Sequence, residues 1–117
     1  MQRKTNQMQH KTSFPRIKDI LDRGMAAWEA ANGPANLAGH GATFKWTTKA
    51  ELMAAVGHGK RLIQPELVGS DGTKTNLVID LRTGISSPAL RMPKGGPFIP
   101  DSEVQEIVDW INQGCPD

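Results

Sequence analysis

A single cysteine, Cys115, is the only thiol in this chain, and tyrosine is absent. One cysteine cannot close an internal disulfide, so the fold must stand on its core, and nothing in the thiol content calls for an oxidising compartment. Long apolar runs are missing as well. No stretch approaches the ~18 continuous apolar residues of a membrane helix, and residues 1–13 lack the apolar centre of an export signal. These absences read as a soluble cytoplasmic chain, or a periplasmic one if an export signal has been removed or replaced. Charge of one sign is scarce too: 14 Lys/Arg against 12 Asp/Glu leave a formal net charge of +2.

At 117 residues the chain fits one domain. A hydrophobic share of 38%, with 12 glycines added, lies in the globular range, and 8 prolines point to a small core with long connections. The charge is uneven. Residues 1–23 carry Arg3, Lys4, Lys11, Arg16, Lys18 and Arg23 against only Asp19 and Asp22. Residues 1–14 therefore read as a basic, flexible arm, mostly solvated, ahead of a domain over 15–117. Without interleaved aromatics, that excess is thin support for nucleic-acid binding.

Templates for catalysis find little to match. Gly59-Lys60 starts like a phosphate-binding loop, but Ala54 replaces the turn glycine and Arg61 the metal-binding hydroxyl. Neither a G-x-S-x-G elbow nor a G-x-G-x-x-G fingerprint occurs. His10, His40, His58 and Cys115 are too scattered for a zinc site. No enzymatic activity and no metal site are expected.

The spacing predicts a helix from Pro15 to about Asn32, with Ile17, Ile20, Leu21, Met25 and Trp28 on one face and Gly33-Pro34 as the stop. Thr48-Lys49-Ala50-Glu51 forms a capping box for a short helix bearing Leu52, Met53 and Val56 and ended by Gly57. Residues 76–82 fit either a short helix or a buried strand. Asp101 to Gln113 is a helix with Val104, Ile107, Val108 and Ile111 inward and acidic residues in its first turn. Its carboxylates, Asp101, Glu103, Glu106 and Asp109, read mainly as a solvated face.

Leu90-Arg91-Met92-Pro93-Lys94-Gly95-Gly96-Pro97, followed by a helix ending Asp109-Trp110-Ile111-Asn112-Gln113-Gly114, resembles the C-terminal half of a cytochrome c domain of the bacterial c-type family. Phe44-Lys45-Trp46, Leu62-Ile63-Gln64-Pro65 and the segment from Asn76 to Leu81 follow the same order, so the resemblance spans about residues 16–117. It implies a mostly α domain with crossing first and last helices and long Gly/Pro-rich loops. It also implies Met92 at the place of the axial methionine.

The family's C-x-x-C-H heme-attachment motif is missing. Its place falls on Gly24-Met25-Ala26-Ala27-Trp28, which has neither thiols nor histidine, so a thioether to heme cannot form. An emptied heme site of a few hundred Å³ would cost several kcal/mol at ~24 cal/mol per Å³. Gly24, Met25, Ala27, Trp28, Phe44 and Trp46 are therefore expected to line or fill that space. Trp28 and Trp110 are expected to be largely buried, with Trp28→Ala costing ~3–5 kcal/mol if fully enclosed.

The functional expectation is a heme-free binding or structural module, a subunit or accessory of a larger protein assembly. The alternative is an electron carrier with noncovalent heme ligated by Met92 and a loop histidine, His40 or His58.

Overall fold

A computed structural model describes residues 12–33, 45–57, 59–85 and 91–117. His10, His40, Phe44 and His58 lie outside the described residues, as does the arm up to residue 11. The chain forms a small, mostly helical domain: α1 (Phe14–Asn32), α2 (Lys49–Ala54), β1 (Val56–Gly57), β2 (Lys60–Arg61), α3 (Asn76–Arg82) and α4 (Asp101–Asn112). Single 3₁₀ turns at Pro65–Leu67 and Gly72–Lys74 precede α3.

α1 begins one residue earlier than the proline suggests. Phe14 opens the helix and sets its ring 6.4 Å from that of Trp110, so this residue of the expected arm belongs to the packed domain. Pro15 falls in the first turn, where its missing N–H leaves no helical acceptor unsatisfied. Ile17, Ile20 and Leu21 bury the inward face. Gly33, at φ 95°, ends the helix and returns its N–H to the Glu29 carbonyl at 2.8 Å.

The capping box at α2 is formed: Thr48 Oγ1 accepts from the Glu51 N–H at 3.1 Å, and the Glu51 carboxylate accepts from the Thr48 N–H at 3.2 Å. The helix does not reach Val56 or Gly57. Ala55 turns extended, and Val56–Gly57 pairs antiparallel with Lys60–Arg61, opposing Val56 to Arg61. The Leu62 N–H closes this hairpin on the Ala55 carbonyl at 3.0 Å. Backbone pairing thus takes residues that an apolar pattern alone would give to the helix.

Residues 76–82 are helical. Thr75, fully buried, is the reason: its hydroxyl accepts from the Val78 N–H at 3.4 Å and donates to the Gly72 carbonyl at 2.7 Å. α3 then buries Leu77, Val78 and Leu81. The 3₁₀ turn before it lies close to α4, where a Cβ on Gly72 would meet the Val108 carbonyl oxygen at 2.8 Å. The Gly72 N–H donates to Asn112 Oδ1 at 2.7 Å, and the Gly69 N–H to the Ile111 carbonyl at 2.8 Å.

α4 places Val104, Ile107, Val108, Trp110 and Ile111 in one core with α1, α2 and α3. Trp110 is fully buried, as expected, and its indole N–H donates to the Pro116 carbonyl at 2.8 Å. α1 and α4 pack against each other under ionic cross-links. Arg16 forks onto Glu106 at 2.8 and 2.9 Å, and Arg23 reaches Glu103 at 3.0 Å. The acidic face of α4 is therefore more than a solvated face, because two of its carboxylates tie down α1. Among the described residues, no helix is long and apolar enough to cross a membrane.

Candidate functional site

The loop over residues 91–100 leads into α4 and packs along the second half of α1, against the Gly24–Asn32 segment. Its start is held by α3: the Met92 N–H donates to the Asp80 carbonyl at 2.9 Å, and Arg91 Nε donates to the Leu81 carbonyl at 3.0 Å. Gly95 and Gly96, at φ 77° and 74°, then turn the chain in a region that side chains disfavour. The turn closes with the Gly96 N–H on the Pro93 carbonyl at 2.8 Å.

From there the loop touches α1 directly. The Trp28 indole N–H donates to the Lys94 carbonyl at 2.7 Å, and Asn32 Nδ2 donates to the Gly96 carbonyl at 3.0 Å. Nearer the middle of α1, buried Ile99 sits so close to Gly24 that a Cβ there would lie 2.7 Å from its Cγ1 and 2.8 Å from its Cδ1. The absent side chain of Gly24 is what lets Ile99 seat. Between these contacts lies a shallow pocket of about 130 Å³ along Gly24, Ala27 and Pro97–Pro100.

This arrangement corrects the expected packing. Trp28 is half-buried at the edge of the seam, not enclosed, and Met25 is half-buried while Ala27 is exposed. The contact side of α1 is met by Ile99 and by the Lys94 and Gly96 carbonyls. Trp46 and Met92 are half-buried and pack against the core. Trp46 donates its indole N–H to Asp22 Oδ1 at 2.9 Å, and Lys18 binds the other Asp22 oxygen at 2.6 Å. Burial works to raise the Asp22 pKa, but these two donors outweigh it and hold the carboxyl below its ordinary value.

The structure thus brings Gly24, Trp28 and the Met92 loop together. His40, His58 and Phe44 lie outside the described residues. Among the described residues, no group of three or more His, Cys, Asp or Glu side chains could hold a metal ion. Asn32, Lys94 and Ile99 were missed by sequence reasoning. Their contacts join positions more than sixty residues apart and leave no local periodic signal.

Two features at the loop's outer end complete the site. Phe98 is 40% exposed, the one large apolar side chain so placed among the described residues, and the Arg91 guanidinium lies over its ring at 4.0 Å. No protein-family model matches this chain, and neither a curated protein nor a solved structure does.

Proposed function

We propose that this chain is a heme-free, cytochrome c-like domain that serves as a non-enzymatic binding or structural module within a larger protein assembly. The observation that carries the reading is the Trp28 indole bonded to the Lys94 carbonyl at 2.7 Å. It joins the helix segment lacking the attachment motif directly to the loop bearing the methionine. The pocket left beside it holds about 130 Å³, well below the roughly 300–1,000 Å³ of sites that enclose a drug-sized ligand. The missing thiols at residues 24 and 27 support the same reading, because covalent heme attachment has no chemistry without them.

Hemin titration tests this proposal. The expected result is weak, non-saturating absorbance that is unchanged in Met92→Ala. A saturable Soret band that disappears in Met92→Ala and in His40→Ala or His58→Ala would overturn the proposal in favour of the noncovalent electron carrier.

A further inference from the structure

We infer that the pocket between α1 and Pro97–Pro100 is a docking site for an acidic, apolar segment of a partner protein. One apolar side chain of that segment enters beside Phe98, while its carboxylates meet Arg91 and Lys94. The inference deepens the binding-module reading and rests on it, but it does not need the cytochrome likeness.

The volume and lining select the first element. A pocket of about 130 Å³ is close to the 150 Å³ cavity known to take a benzene-sized group, so it suits one side chain. Its walls include Gly24, Ala27, Pro97, Phe98, Ile99 and Pro100. Arg23 and Glu103 stand at its edge, but they are paired with each other at 3.0 Å and present little free charge. Phe98 is left 40% exposed beside this pocket, whereas the apolar core side chains are enclosed. An exposed aromatic ring next to a small apolar hollow is the usual form of an interface anchor.

The charge selects the second. Arg91 is fixed over Phe98 by its bond to the Leu81 carbonyl, and its guanidinium pairs with no carboxylate among the described residues. Lys94, exposed in the same loop, has no carboxylate partner there either. Residues 1–11, 34–44, 58 and 86–90 contain no Asp or Glu, so those segments have no carboxylate to offer. By contrast, Arg16, Lys18, Arg23, Lys49 and Arg82 are all satisfied by carboxylates of this chain. Lys60 and Arg61 of β2 also lack a carboxylate partner among the described residues, but Arg91 and Lys94 are the unpaired cations in the loop that carries the exposed ring.

A nucleic acid is the poorer occupant. It needs a track of cations along its backbone, whereas the neighbouring Arg16 and Arg23 are neutralised by Asp19, Glu103 and Glu106.

Selection of a random short-peptide display library on the full chain tests the inference, with fluorescence anisotropy on the recovered peptides. Recovered sequences are expected to place Asp or Glu next to Leu, Ile, Met or Phe. Their affinity is expected to fall roughly tenfold in Phe98→Ala and in Lys94→Glu, and to weaken as salt rises. Unchanged tryptophan fluorescence in each variant shows that the fold is kept. Peptides without acidic enrichment, binding indifferent to Phe98, or no recovered binder would each overturn it. So would an oligonucleotide bound through the same residues, or self-association of the chain that Phe98→Ala abolishes. The hemin titration keeps the two proposals apart: a chain that binds heme and still takes acidic peptides at Phe98 fails only the first.

Discussion

At Gly24 the loop's Ile99 packs directly on α1, and replacing this glycine with alanine sets two effects of known size against each other. In an ordinary helix interior, Gly→Ala stabilises by about 1 kcal/mol, because alanine has less backbone entropy to lose. Here the new Cβ would stand 2.7 and 2.8 Å from Ile99 Cγ1 and Cδ1. Ile99 is 4% exposed and has little room to withdraw. Overpacking of this kind costs about 1–3 kcal/mol. Gly24→Ala is therefore expected to be destabilising by roughly 1 kcal/mol, or about 4 °C in Tm for a domain of this size.

The sign should reverse once Ile99 is truncated. Ile99→Ala removes both obstructing atoms, so adding Gly24→Ala to that variant is expected to stabilise it by about 1 kcal/mol. Urea unfolding followed by tryptophan fluorescence measures all four corners of the cycle, giving a coupling energy of about 2 kcal/mol. Stabilisation by Gly24→Ala in the unaltered chain, or a coupling energy near zero, would show that Ile99 does not seat on α1 and would refute the seam.

Three further outcomes follow from the same geometry. The Arg16 guanidinium, bonded to Glu106, holds that carboxyl below its ordinary value against a smaller opposing effect of burial. A carboxyl with a depressed folded-state pKa stabilises above its unfolded pKa and loses that contribution as pH falls through the folded one. Glu106→Gln is thus expected to cost about 0.5–1 kcal/mol at pH 7 and nothing once both pKa values are passed, and equal losses at both ends of a pH series of unfolding curves would contradict this. Trp28→Phe keeps most of the apolar contact but strands the Lys94 carbonyl, for a loss of about 1 kcal/mol. Since Trp28 is only half-buried, Trp28→Ala should cost less than the ~3–5 kcal/mol of an enclosed aromatic, as chemical denaturation can check. Burial pushes the Cys115 thiol up to about 11, so iodoacetamide should label it slowly in the native chain and rapidly in urea. Equal rates would place the thiol at the surface.

Much of the helical framework was legible because its signals are local. The Ile17, Ile20 and Leu21 face, the Thr48/Glu51 box and the Val104 to Ile111 stripe each lie within a few turns of chain. They specify helix and inward face before any tertiary contact forms. Residues 76–82 stayed open because their apolar run suits two geometries. The deciding group was the Thr75 hydroxyl just outside the run. Val56 and Gly57 misled for a similar reason, since their pairing with Lys60 and Arg61 is a backbone interaction that apolar spacing does not register. The seam was legible only as a set of positions. The cytochrome c resemblance implies one region for Gly24, Trp28 and Met92, but nothing near Lys94 or Ile99 announces that a carbonyl and an aliphatic tip will land on α1.

The seam itself is made by few groups on α1. A glycine on the helix admits the loop's Ile99, and an indole and an amide supply donors to loop carbonyls that would otherwise lose their hydration. Gly24, Trp28 and Asn32 perform those tasks on successive turns of α1. The same loop carries Phe98 and Arg91, so the segment held on α1 by these contacts is also the one that presents an exposed ring with a guanidinium over it.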